Sequence, residues 1–421
     1  MKGGEKMYAY ERLINDEKSG MLINLDGLIA TTLIPDKVIT VGKSVLKSFF
    51  EIKRSNITID GSSAKIYVTV KGTVTSDYAI MQINPAAENV CLRNLDITVC
   101  VEDADNTGKI LAAIYNMAQG TRIENCRITM TSKTQVQLCG IYNKGDKDYL
   151  QSYKGRNLLV RDCDINVQCL PESITTKCCV YGIYNNEGNG ISVSNSIVLV
   201  MNDGYGSLQR SIGVFTNGRF GRFIANNIKA QTPHIQGLLL EKAHAIGFIN
   251  EGAHSVLSAN NIVAECAGAC IGVENKGFYA RIADNKILAT HTVWGRSVVN
   301  TAPNVVINAN VITSTAKNAR LVEQYSYNTI ITNNFMRVLL RPPQPVRTGC
   351  GIYAIGSEVY GNVITNNIIK DVYNCGILAS ETCGIVENNI VTGYNKPLQH
   401  TTDKNKAMTD IFRAGNIRSI E

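Results

Sequence analysis

Charge is sparse in this sequence. Asp, Glu, Lys and Arg make up 18% of 421 residues, too little for a disordered chain or a coiled coil. Aromatic residues are 7%, with a single Trp. Basic residues exceed acidic ones by seven, yet they form no block and no stripe interleaved with aromatics, so nucleic acid is not an expected partner. No eighteen consecutive residues are apolar, which argues against a membrane-spanning helix. Cysteine occurs thirteen times but never as Cys-x-x-Cys, so no structural zinc site is expected. Hydrophobic residues at 44% do allow a sizeable core.

What the sequence has in abundance is repetition. The fragments Ile123-Glu-Asn-Cys126, Val160-Arg-Asp-Cys163, Val193-Ser-Asn-Ser196, Ile224-Ala-Asn-Asn227 and Ser258-Ala-Asn-Asn261 align with one another. Ile282-Ala-Asp-Asn285, Ile307-Asn-Ala-Asn310, Ile331-Thr-Asn-Asn334, Ile364-Thr-Asn-Asn367 and Val386-Glu-Asn-Asn389 continue the series. Steps between the fourth positions run from 22 to 37 residues. A floor of that size suits a coil of three short strands and three turns, with longer coils bulging at one variable loop. Looser copies lie around residues 57–66 and 92–97. Coils stacked about 4.8 Å apart would put each Asn amide directly over the next, NH2 donating to the carbonyl below.

The expected fold is therefore all-β: a right-handed parallel β-helix of about twelve coils with an Asn ladder. Residues 1–45 are expected to form an N-terminal cap, 46–394 the β-helix, and 395–421 a C-terminal cap or tail. Caps are needed because open ends expose strand edges and core. Short helices are expected over residues 8–17 and 407–413. Large insertions fall at 146–155, 169–179, 201–210, 231–244 and 339–348, and long loops on a rigid scaffold commonly carry sites.

A second fragment recurs upstream of the ladder position: Ala113-Ile-Tyr-Asn116, Gly140-Ile-Tyr-Asn143, Gly182-Ile-Tyr-Asn185, Gly213-Val-Phe-Thr216, Gly247-Phe-Ile-Asn250, Gly272-Val-Glu-Asn275 and Gly376-Ile-Leu-Ala379. It reads as the strand after the variable loop. Alternation is expected to turn its second residue inward, and its Gly and third residue outward. Glycine there suggests a close approach to the backbone.

Over about residues 50 to 400 this pattern resembles the pectate-lyase-like right-handed parallel β-helix superfamily. The resemblance implies a carbohydrate-active protein, since members are mostly polysaccharide lyases, glycoside hydrolases, epimerases and phage tail proteins. It also implies a substrate lying along the strand that follows the longest loop. The stretch from Asn328-Thr-Ile-Ile-Thr-Asn-Asn334 through Gly361-Asn-Val-Ile-Thr-Asn-Asn367 is similar to late coils of inulin fructotransferases, which use two acidic residues at a subunit interface. The Asn-Thr-Asp, Asp-Asp and Gly-His-Gly motifs of polygalacturonase-like hydrolases do not occur.

The outward third positions run Tyr115, Tyr142, Tyr184, Phe215, Ile249, Glu274, Val299, Glu323 and Leu378. Glu274 and Glu323 are the candidate catalytic carboxylates. Two coil steps separate their backbones by about 9.6 Å, nearer the roughly 6.5–9.5 Å of inverting glycosidases than the about 5–5.5 Å of retaining ones. One would serve as general acid and the other would activate water or a sugar hydroxyl. The alternative is a pair of solvated charges that blunts edge association. Arg296 is a candidate to hold a carboxylate or substrate group. Tyr142, Tyr184 and Phe215 are candidates to stack on sugar faces; alternatively they stabilise neighbouring strands or pack against partners in a homotrimer. Glu251 and Lys276 are further candidates to bind substrate; like Glu187 and Lys144 they fall in turns after the same strand, where Asn-x-Gly is first a turn signature. Asp203 and Tyr205 are candidates to close over substrate. An elimination mechanism would draw on Lys242, His244, His291, Arg296 or Tyr325. No Asp-rich cluster offers a calcium site, so no metal or cofactor is expected.

The activity expected is cleavage or transfer of glycosidic bonds in an oligo- or polysaccharide by carboxylate acid/base chemistry, as a hydrolase or a fructotransferase-like enzyme. The alternatives are a lyase or epimerase on uronate polymers, and a non-catalytic glycan-binding or tail-spike protein. The positive surplus suits an anionic glycan. No signal peptide is legible, so a reducing cytoplasm or a phage particle assembled there is the expected location, with secretion left open.

Overall fold

The computed structural model describes residues 22–33, 47–71, 77–102, 108–146, 153–171, 178–204, 209–233, 243–291, 294–316, 318–339, 349–372, 375–380, 383–392, 396–401 and 417–418. The chain divides into two compact units, residues 1–222 with 234–237, and residues 223–233 with 238–421. Each is built from the same coil. A three-residue strand such as Val256–Ser258 leads to a longer strand, Asn261–Cys266, and then to the strand carrying the second fragment, Ala269–Asn275. We call these the short, back and front strands. All three pair in parallel with their counterparts one coil on. No α-helix occurs among the described residues. The fold is a right-handed parallel β-helix, the hand that a twisted strand imposes on a parallel crossover.

Period-two patterning builds the core. Along Asn261–Cys266 burial alternates strictly, so Ile262, Ala264 and Cys266 face inward. Parallel register then stacks like on like. In the second unit Ile228, Ile262, Ile287, Ile312, Met336 and Ile369 form one buried column. In the first unit Ile66, Ile97, Ile128, Ile165 and Val198 do the same. Burying such a side chain contributes roughly 1.5–3 kcal/mol.

The amide ladder is present in the second unit. Nδ2 of Asn226, Asn260, Asn285, Asn310, Asn334 and Asn367 each donates to Oδ1 of the next, at 2.9–3.0 Å, ending on Asn389. Most of these amides also donate to a carbonyl of the preceding coil, such as Leu257 O from Asn285. Two positions correct the sequence reading. Asn227 and Asn261 are not in the column; they are bonded to each other on the outside at 3.0 Å. In those coils Phe223 and Leu257 take the inward apolar place, which shifts the frame by one residue. In the first unit the column is Cys126, Cys163 and Ser196. There the thiols donate to Leu92 O and Ile123 O, and the Ser196 hydroxyl accepts from Cys163 N at 3.2 Å. The residue before each ladder position is left-handed, as at Asn125, Asp284 and Asn333 (φ 50, 60 and 55°), a conformation that Asn and Asp tolerate.

A second internal ladder closes each front strand. Asn116, Asn143, Asn185 and Thr216 are linked at 2.6–2.8 Å in the first unit. Asn250, Asn275, Asn300 and Gln324 are linked at 2.6–2.7 Å in the second. The front-strand glycines also differ from expectation. A Cβ at Gly272 would lie 2.5 Å from Ile287 Cγ2 and 2.5 Å from Ser297 O, and one at Gly140 would lie 2.5 Å from Ile165 Cγ2. These glycines face inward, where front and back strands touch, so the close approach is internal packing and not a ligand on the outer face.

Parallel pairing runs past 46–394 at both ends: Leu22–Leu33 pairs with Thr58–Lys71, Lys396–Thr401 with Cys375–Ser380, and Ile417–Arg418 with Ile390–Val391. The segments 8–17 and 407–413, and the middles of all five insertions, lie outside the described residues. Every cysteine is a free thiol and all but Cys100 are buried, where Cys serves as a small apolar residue.

Candidate active site

The outward row exists, as separate stretches in the two units. In the first unit Gln82, Tyr115, Tyr142, Tyr184 and Phe215 are in register. Neighbouring rings sit 4.7–5.0 Å apart. Tyr115 and Tyr142 are buried, packed with Ala79, Ala112 and Cys139 under Tyr181 and Met117. They offer no ring face to a ligand. Tyr184 and Phe215 are half-buried.

In the second unit Ile249, Glu274, Val299, Glu323, Tyr353 and Leu378 are in register. Glu274 and Glu323 thus stand two strands apart on one face, with Val299 between them. Arg296 and Arg320 are also in register, on adjacent strands. Each Arg stands three positions before the outward residue, because the two residues between them, Ser297 and Val298 in one strand and Leu321 and Val322 in the next, are both turned into the core.

Glu323 is the centre of the cluster. Its side chain is 1% exposed. Oε1 accepts from Arg320 Nη1 at 2.8 Å and lies 3.8 Å from Arg296 Nε. Oε2 is buried and accepts no hydrogen bond from the described residues. The Arg320 guanidinium lies over the Tyr353 ring at 4.2 Å and near the Trp294 ring at 5.7 Å, and Nη1 also approaches Tyr325 Oη at 3.4 Å. Burial works against the charged Arg320, but the Glu323 carboxylate outweighs it and its pKa rises. Burial, then the charge of Glu323, pushes the Tyr325 phenol up to about 12.

The second cluster centres on Lys276, whose Nζ contacts Glu251 Oε1 at 3.0 Å and Glu274 Oε1 at 3.1 Å. Burial lowers the Lys276 pKa, but the two carboxylates overcome this and the net shift is upward. Both clusters belong to the second unit, as does the Arg296 guanidinium, which is 30% exposed. Among the described residues no three His, Cys, Asp or Glu side chains converge as a metal site would require.

Comparison of the sequence with protein families and with curated proteins finds no match. Solved structures do match. A mutant tailspike of E. coli bacteriophage HK620 in complex with pentasaccharide aligns at 11% identity and TM-score 0.52, over 90% of this chain and 72% of that one. The Dettilon tailspike aligns at 13% identity and TM-score 0.48, over 82% of this chain, which spans 62% of that protein's length. The A-module of a mannuronan C-5 epimerase from Azotobacter vinelandii aligns at 13% identity and TM-score 0.43, over 90% and 91%. The likeness is one of fold.

Of the residues named from sequence, the β-helix brings Glu274 together with Lys276 and Glu251, and Glu323 with Arg296 and Tyr325. It leaves Tyr142 buried and His244 buried. Lys242 and Tyr205, and the side chain of His291, lie outside the described residues. Arg320, Trp294 and Tyr353 were missed. Tyr353 had a legible signal, because Gly351-Ile-Tyr-Ala354 is another copy of the front-strand fragment. Arg320 could have been found by counting back three residues from Glu323.

Proposed function

We propose that the outer face of the second unit binds an oligo- or polysaccharide and cleaves or transfers its glycosidic bonds, with Glu323 and Glu274 as the acid/base pair. The observation that carries this is Glu323. A buried carboxylate oxygen without a donor is costly, and a sugar hydroxyl or an attacking water supplies the missing hydrogen bond. Glu274 lies two strands away, about 9.6 Å between backbones, a spacing compatible with the inverting geometry. Trp294 and Tyr353 border the cluster with apolar ring faces suited to sugar C–H groups, and Arg296 and Arg320 orient hydroxyl or acidic substituents. The tailspike of like fold that holds a pentasaccharide supports the ligand class.

A second reading, elimination or epimerisation at a uronate, draws on Arg296 and Arg320 to neutralise the substrate carboxylate and on Tyr325 as base. A phenol pushed up to about 12 is a poor base near neutral pH, which favours the carboxylate pair.

A glycan-array screen followed by mass spectrometry of products identifies substrate and bond. Glu323→Gln and Glu274→Gln are each expected to lower turnover by roughly 10²–10⁴ with unchanged far-ultraviolet dichroism. Activity within about threefold of the parent removes that residue from catalysis. Products with the ultraviolet absorbance of an unsaturated uronate replace this reading by elimination, and retention of glycan without turnover replaces it by a binding role.

A further inference from the structure

The turns after successive front strands share a left-handed residue at one place. In the second unit these residues are His254, Tyr279, Asn304, Asn328 and Gly361, with φ of 57, 57, 57, 52 and 64°. Their amides mark one place in successive coils: His254 N donates to Phe278 O, Tyr279 N to Pro303 O, Asn304 N to Tyr327 O and Asn328 N to Tyr360 O. Asn and Gly accept this backbone readily, whereas a bulky side chain there is an outlier that lowers stability. Two consecutive coils nevertheless place rings at it.

Those rings are arranged with care for one another. His254 and Tyr279 stack at 5.0 Å with planes 10° apart. Phe278 stands edge-on to Tyr279 at 5.6 Å and 73°. Phe278 is 42% and Tyr279 54% exposed, so the stack opens to solvent. Asn304, with its amide-bearing side chain, holds the next place in the same column.

We propose that His254, Phe278 and Tyr279 form an accessory glycan-binding platform, separate from the Glu323 cluster. The apolar face of a pyranose or furanose ring stacks on one of the exposed rings while the other, nearly perpendicular to it, walls the sugar's edge, an arrangement suited to an apolar body with a polar rim, and sugar hydroxyls reach the Asn304 carboxamide. The platform begins three residues beyond Glu251 and two beyond Lys276 in their turns, so it borders the same outer face. A second copy of the chain is a poor occupant. Three half-exposed rings fall far short of the roughly 800 Å² per partner of a stable interface. The inference does not depend on Glu323 being catalytic.

Affinity electrophoresis of the full chain in gels containing inulin, alginate, polygalacturonate, dextran or an E. coli O-polysaccharide tests it. We expect at least one polysaccharide to retard the parent. His254→Asn and Tyr279→Asn install the residue used two coils later, so they should melt at or above the parent temperature while weakening retardation at least about fivefold. The losses in His254→Asn and Tyr279→Asn should persist at the same size in a Glu323→Gln background, which separates this site from the catalytic reading. The proposal is overturned if no polysaccharide retards the parent or if the Asn variants are retarded equally. It also fails if they melt lower, the rings then serving the fold, or if they change mass in light scattering, the rings then serving self-association.

Discussion

The Glu323 carboxylate and the Tyr325 phenol both lie within hydrogen-bonding range of a single nitrogen, Arg320 Nη1, at 2.8 and 3.4 Å. The titration of Tyr325 is therefore linked to stability. The Tyr325 phenol is held at about 12 against an ordinary 10.0, so the folded chain keeps a proton that the unfolded chain releases. The stability this contributes is fully present below pH 10 and is lost as the pH climbs toward 12. Burial also raises Tyr115, Tyr142 and Tyr181, and the raised Lys276 ammonium acts in the same direction at alkaline pH. We expect urea unfolding at pH 9 and pH 11 to show a marked loss for the parent and a smaller one for Tyr325→Phe. An equal loss in both would mean that Tyr325 does not titrate as its surroundings require. Charge clusters of this kind were only half legible in the sequence. Arg296, Glu323 and Tyr325 could be named, but the bulge-like turn of two adjacent residues into the core, which puts Arg320 and Glu323 on the same side, follows from packing against the back strands and leaves no mark in period-two alternation.

Strands and ladders show the same division. The parallel coil was readable because apolar residues and Asn recur at coil length, and register stacks them. Its exact frame was not readable where two Asn residues stand side by side, because either one satisfies the repeat. Asn226 and Asn260 won because Phe223 and Leu257 fill the core better than the residues after them. The choice is testable. Asn285→Ala strips the partner from the Asn260 amide and leaves Leu257 O without its donor, a loss of at least about 2 kcal/mol by the cost of buried unpaired groups. Asn261→Ala removes only an exposed contact and should stay within about 0.5 kcal/mol. Chemical denaturation of both variants reads the difference, and equal effects would put Asn261 back in the column. Gly272→Ala should cost about 1–3 kcal/mol through overpacking against Ile287, whereas a glycine on the ligand face would tolerate the methyl.

Across a whole unit, each coil touches only the coils before and after it. Damage should then spread by neighbour and fade. Hydrogen exchange of the Asn285→Ala variant is expected to speed up in the coils of Asn260 and Asn310 and to stay at the parent rate in the coil of Asn389. Uniform loss of protection throughout the second unit would instead mark it as one cooperative block. The sequence foresaw this architecture from the recurrence alone. It could not foresee which outward aromatics are covered, because Tyr115 and Tyr142 are buried in a cluster drawn from three coils, with Ala79, Ala112 and Cys139, and such three-dimensional neighbours are invisible to a one-dimensional repeat.

Because Lys286 already lies in register with Val311, and the ladder steps from Asn285 to Asn310 by 25 residues, one entire storey can be lifted out without disturbing the joints above and below. Excising residues 286–310, which also removes Trp294 and Arg296, would seat Glu274 and Glu323 on adjoining strands, about 4.8 Å apart. The distance between two acids on such a tower changes only in whole floors, and one floor is the difference between an enzyme with room for water between its carboxylates and one whose carboxylate meets the sugar directly. Anomeric configuration of the first product, followed by NMR, would report which of the two the shortened chain had become.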